Sequence, residues 1–94
     1  MQFEWDPDKA AANLAKHEIS FQTAQKAFSD RGRVERFQRR SGEDRWKVIG
    51  AVGDQLLAVI YAEVEVEGSD ELVIRIISAR KATKLERKTY RTQR

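Results

Sequence analysis

The 94 residues contain no cysteine, which excludes a disulfide framework and any cysteine-based metal or redox site. Only one histidine is present. With no cysteine beside it, a transition-metal site has too few ligands, so no metal or other cofactor is expected. No apolar run approaches the ~20 residues that cross a bilayer, and no membrane association is expected. The opening Met1 to Asp6 carries neither a basic segment nor a long apolar one, so no signal peptide is evident and a cytoplasmic protein is expected. Also missing are a Ser/His/Asp arrangement, a glycine-rich phosphate loop, a carboxylate spacing suited to metal, internal repeats, low-complexity tracts and linkers. What remains is one small domain, residues 1–94.

The charge is unevenly placed. Residues 1–30 hold three bases and five acids (3 − 5 = −2), residues 31–53 seven and three (+4), and residues 54–72 none and six (−6). From residue 73 onward there are eight Lys or Arg and one acid, Glu86, a net of +7 in a chain whose total is +3. Two basic blocks flank an acidic one, so only folding can bring them together. A preorganised cluster of this sign suits a phosphate-rich partner.

Asp6 caps a helix that begins at Pro7, where the missing N–H costs nothing. Ala10, Ala11, Leu14 and Ala15 give it a small-residue face, and it ends near His17-Glu18. Ser20 caps a second helix with Phe21, Ala24, Ala27 and Phe28 on one stripe. Strands dominate thereafter. A weak alternation runs from Val34 to Gln38, a polar turn covers 39–44, and a strand runs from Arg45 to Val52. Gly53-Asp54 signals a hairpin into the apolar run Leu56 to Tyr61. Gly68-Ser69-Asp70 turns into a last strand from Leu72 to Ala79. Thr83 and Glu86 then form a capping box that starts a final helix. With Phe3-Glu4-Trp5 as a short edge strand, the order is β-α-α-β-β-β-β-α. Tight turns between strands imply an antiparallel sheet, and helices at the ends imply α+β.

The chemistry-bearing residues each have two readings. Arg80 ends the last strand beside a helix start, where backbone N–H groups also favour anions; it is the foremost candidate for binding phosphate. Arg75 lies in an apolar strand, either with its head at an exposed face or presenting its fork to RNA phosphate. Arg45 and Lys47 alternate onto one strand face, as solubilising charges or as part of a concave RNA-binding patch with Arg75 or Arg80. Lys81, Lys84 and Arg87 extend the basic set. His17 is either a helix C-terminal partner of the dipole or a proton-transfer group. Tyr90 either packs against the sheet or donates a proton or stacks on a base. Trp5 and Trp46 read as core.

Phe3-Glu4-Trp5-Asp6, with Lys9, Asn13, Lys16-His17 and Ile19-Ser20-Phe21, resembles the opening of BrnT-type toxins. Glu43-x-Arg45-Trp46, Ile49-Gly50, Leu56-Leu57 to Ile60-Tyr61, and Arg75 to Ala82 with Glu86-Arg87 and Tyr90 resemble the remainder. The resemblance implies a RelE-like fold and a metal-independent endoribonuclease that blocks translation. It also implies neutralisation by a BrnA-type antitoxin, and operator DNA bound indirectly through that antitoxin. One departure stands out: Glu18 replaces the family's usual glycine after Lys-His, which makes a left-handed helix end less comfortable. Within that family reading, Arg80 and Arg75 would stabilise transition-state charge, Arg45 and Lys47 would place the RNA, and His17 or Tyr90 would move protons. The competing reading is a non-enzymatic small basic RNA-binding or regulatory module.

Overall fold

Each helix starts at the cap that the sequence provides. In the computed structural model, which describes residues 1–93, α1 spans Pro7–His17 and Asp6 accepts the Asp8 N–H at 2.8 Å. Helix α2 spans Phe21–Gln25 with Ser20 accepting from Thr23, and continues as a 3₁₀ turn over Lys26–Ser29. Helix α3 spans Lys84–Thr92, and both halves of the Thr83–Glu86 capping box form. At the end of α1, Glu18 takes the left-handed conformation (φ 61°, ψ 28°) while its N–H donates to the Leu14 carbonyl. A Cβ is strained there, by roughly 1–2 kcal/mol. Glu18→Gly is therefore expected to stabilise the fold by about 1 kcal/mol and raise Tm by roughly 4–8 °C. A fall in Tm on thermal denaturation would contradict that origin of strain.

Five strands form one sheet in the order β1-β5-β4-β3-β2, with β1 Gln2–Glu4, β2 Val34–Arg40, β3 Glu43–Val52, β4 Gln55–Val64 and β5 Val73–Lys81. Strands β2 to β5 are an antiparallel meander, as the turn signals imply. The expected polar turn at 39–44 contracts to Ser41-Gly42, both at positive φ, because the strands pair as far as Arg40↔Glu43. One element departs from an all-antiparallel sheet: β1 lies parallel to β5, Phe3 opposite Ile74. The excursion through α1, α2 and the meander returns the chain to β1 in the same direction.

Helices α1 and α2 gather on one face of the sheet. Phe21, Ala24, Ala27 and Phe28 pack there on Val48, Leu57, Val59, Tyr61, Ile74 and Ile76. Gly50 lets the 3₁₀ turn approach: a Cβ at that position would stand 2.6 Å from the Ala27 carbonyl oxygen. Strand β1 pairs only with residues 73–75, so the rest of that β5 edge needs another partner. Asn13, buried on α1, supplies one. Its amide oxygen accepts the Ala79 N–H at 3.0 Å, and its amide nitrogen donates to the carbonyls of Ala79 (2.9 Å) and Ile19 (3.0 Å). The amide thus completes the ladder one residue before Arg80. No helix among the described residues is long and apolar enough to cross a membrane.

Candidate nucleic-acid interface and active site

The face of the sheet opposite α1 and α2 is covered only at one end. There Tyr90 of α3 and Ala82, just before that helix, pack against Val34 and Ile49, with Ala51 and Leu56 alongside. Register decides which side chains share the open remainder. Arg36 pairs with Lys47, Lys47 with Ile60 and Ile60 with Ser78, while Ala58 stands opposite Arg80. Strand β4 therefore separates β3 from β5, and the backbones carrying Lys47 and Arg80 are about 10 Å apart. Their side chains nevertheless meet, over β4, because Glu86 reaches down from α3 between them.

Glu86 is the centre of the site, and the capping-box reading finds only half its role. Its Oε1 accepts from Arg80 Nη1 at 2.6 Å and from the Thr83 N–H at 2.9 Å. Its Oε2 accepts from Arg80 Nη2 at 3.0 Å and from Lys47 Nζ at 2.8 Å. The Glu86 side chain is 8% exposed, Lys47 19% and Arg80 37%. Burial pushes the Glu86 carboxyl up, but hydrogen bonds from Arg80, Lys47 and the Thr83 N–H outweigh it and hold the carboxyl well below the usual carboxylate range. The Arg80 guanidinium is held above its ordinary value, chiefly by the Glu86 hydrogen bond. The ion triad thus stabilises the fold at any pH above the unfolded carboxylate pKa of about 4.3, and is lost only as pH falls toward the depressed folded value. Sequence offers one signal for this residue: Glu86 is the sole acid among the last 22 positions.

His17, distant from Arg80 in sequence, is not distant in the fold. The end of α1 and the end of β5 open on one cleft of about 560 Å³ lined by Lys16, His17, Glu18, Ile19, Gln55, Arg80 and Lys81. A histidine therefore stands in the same cleft as the principal cation. Lys81, Lys84 and Arg87 are exposed around the β5–α3 junction, with Arg87 donating to the Ala82 carbonyl at 3.1 Å. Arg45 shares the face of Lys47 and pairs with Glu43 at 3.1 Å, a surface contact of small energetic weight. Arg75 is on the same face but further off. Its partner is Ala62 where that of Arg80 is Ala58, four residues along β4 or about 13 Å, and it is ion-paired with Glu4 at 2.7 Å. The acidic segment 65–71 joins β4 to β5 at the end of the sheet away from Arg80.

Tyr90 lines a different cleft, shared with Lys81 and Arg87, from the one that holds His17 and Arg80. Its hydroxyl donates to Asp30 Oδ2 at 2.6 Å inside the apolar cluster beneath α3. Asp30 also accepts the N–H groups of Ala51 (2.8 Å) and Gly32 (2.9 Å), so this carboxylate ties α3 to β3 and to the chain leaving the 3₁₀ turn. The other buried phenol, Tyr61, is pushed well above its ordinary range by burial and by Glu35 beside it. Of the sequence candidates, Arg80 and Lys47 meet on Glu86, His17 and Lys81 share a cleft with Arg80, Arg45 and Arg75 extend the face, and Tyr90 supports α3.

This arrangement presents a basic sheet face with a fixed guanidinium and an ammonium, and an imidazole in the cleft beside the guanidinium, a set suited to a phosphodiester. A family model described as the ribonuclease toxin, BrnT, of type II toxin–antitoxin systems matches residues 5–86. The matched span includes His17, Lys47, Arg80 and Glu86. A comparison with curated proteins gives no match.

Proposed function

This chain belongs to the BrnT family, the ribonuclease toxins of type II toxin–antitoxin systems, and from that premise we propose that it is a metal-independent endoribonuclease whose site is the Arg80–Lys47 face with the His17 cleft. The observation that carries the reading is the meeting of Arg80 and Lys47 on Glu86, with Arg80 also lining the cleft that holds the only histidine. RNA supplies its own nucleophile. The 2′-oxygen forms a bond to phosphorus, the bond to the 5′-oxygen breaks, and the products are a 2′,3′-cyclic phosphate and a 5′-hydroxyl. One proton leaves the 2′-hydroxyl and one reaches the departing oxygen. Arg80 and Lys47 stabilise the charge that accumulates on the phosphoryl oxygens, a task a guanidinium performs without titrating. His17 is the group in the cleft suited to moving a proton near neutral pH. Arg45, Lys81, Lys84 and Arg87 hold flanking phosphates, and Arg75 one further along the strand.

A toxin of a type II pair has an antitoxin as its protein partner. The partner proposed here is of the BrnA type, covers Arg80 when bound, and brings the complex to operator DNA, in a cytoplasmic setting where RNA cleavage blocks translation. The test is incubation of the purified protein with total RNA in EDTA. Cleaved products ending in cyclic phosphate are expected, with activity falling as salt rises. Salt-sensitive binding without cleavage would favour the non-enzymatic RNA-binding module. Activity lost in EDTA and restored by Mg²⁺ would refute metal independence.

A further inference from the structure

We infer that Glu86 is the positioning residue of this site, and that it leaves the Nε–Nη2 edge of Arg80 as the fork that takes the substrate's oxyanion. The inference rests on the ribonuclease reading for its catalytic consequence but on geometry for the binding edge.

A carboxylate offers about four lone-pair sites, and Glu86 has four donors on them: Arg80 twice, Lys47 and the Thr83 N–H. No site is left to accept a proton from a hydroxyl, so Glu86 does not serve as the general base despite its place at the centre. A guanidinium has five N–H donors in one plane, arranged as two bidentate edges. Glu86 occupies the end-on edge, Nη1 with Nη2. The remaining contact recorded for Arg80 is a long one, 3.5 Å from Nη1 to the Lys81 carbonyl. Among the described residues the Nε–H and the second Nη2–H have no acceptor. These two form the side-on edge, which matches two oxygens of a phosphate.

The same carboxylate therefore does three things. It caps α3, fixes the plane of the Arg80 guanidinium, and holds Lys47 against that plane from across β4. Phosphate binding need not displace it, because the two anions use different edges. Glutamine in its place keeps one acceptor and the capping role, but turns an amide donor toward Nη2 and Lys47. The guanidinium is then free to rotate, while the fold stays capped.

Two measurements test this on the full chain. In the first, kinetics on a single-stranded RNA are compared for wild type, Glu86→Gln, Arg80→Lys and the double variant, each checked for folding by thermal denaturation. A displacement near 1 Å in a stabilising group costs on the order of 10²-fold, so Glu86→Gln is expected to lower kcat by about 10–100-fold with KM little changed. The loss is expected not to multiply with that of Arg80→Lys. Wild-type kcat in folded Glu86→Gln, a change in KM alone, or losses that multiply would each overturn the inference. In the second, NMR follows the Arg80 Nε–H signal as a 2′-O-methylated RNA, which has no free nucleophile, is added. A shift is expected in wild type and a reduced one in Glu86→Gln; no shift in a wild-type protein that binds the RNA would overturn the side-on edge. A wild type that shifts the signal without cutting RNA would bring down the ribonuclease reading and leave the binding edge standing.

Discussion

Arg80→Ala is expected to lower RNA cleavage by on the order of 10²-fold or more, the loss typical of removing one preorganised stabiliser of transition-state charge. The structure explains why a lysine is a poor replacement. Arg80 engages Glu86 through two nitrogens at 2.6 and 3.0 Å while keeping another edge open, and a single ammonium cannot do both. His17→Ala is expected to cost less, because water can relay a proton whereas nothing else at this position supplies a fixed fork. Truncating Arg80 also leaves the buried Glu86 carboxylate with only Lys47 and the Thr83 N–H, so folding must be measured alongside activity; circular dichroism and RNA cleavage in EDTA suffice. Near wild-type cleavage by folded Arg80→Ala, or a larger loss in folded His17→Ala, would move the centre of the mechanism to proton transfer.

Asn13→Ala is expected to cost about 3 kcal/mol of stability, which for a domain of this size lowers Tm by roughly 10–20 °C. The residue is 7% exposed and its side chain makes three hydrogen bonds to backbone. Without it the N–H and carbonyl of Ala79 lose their partner on a buried strand edge, and unpaired buried groups cost about 1–3 kcal/mol each. Thermal and urea unfolding report the loss, and a Tm within a few degrees of wild type would show that water or a shift of α1 replaces the amide. Because Ala79 precedes Arg80, cleavage is expected to fall even at temperatures where the variant is folded.

These residues divide by what local pattern can convey. Glu18 takes the left-handed conformation that its side chain argued against, whereas the caps at Asp6, Ser20 and Thr83, the turns at Gly53-Asp54 and Gly68, and the α+β order were all legible. Each depends on hydrogen bonds and sterics within about four residues, where sequence neighbours are also neighbours in space. The clustering of positive charge from Arg75 onward was legible for the same reason, as was Arg80 at a strand-to-helix junction. The partners were not. Lys47 meets Glu86 across 39 positions, Tyr90 meets Asp30 across 60, and Asn13 meets Ala79 across 66. Adjacency of β3 and β5 would have let Lys47 approach Arg80 directly; instead β4 lies between them and a carboxylate from α3 bridges the gap. Likewise β1 pairs in parallel because of where the chain returns, which no local turn specifies. Sequence alone determined the elements, the helix caps and the distribution of charge. Tertiary structure decided which charges meet, because strand order and helix placement depend on burying a shared core, and the polar side chains follow wherever that core sends them.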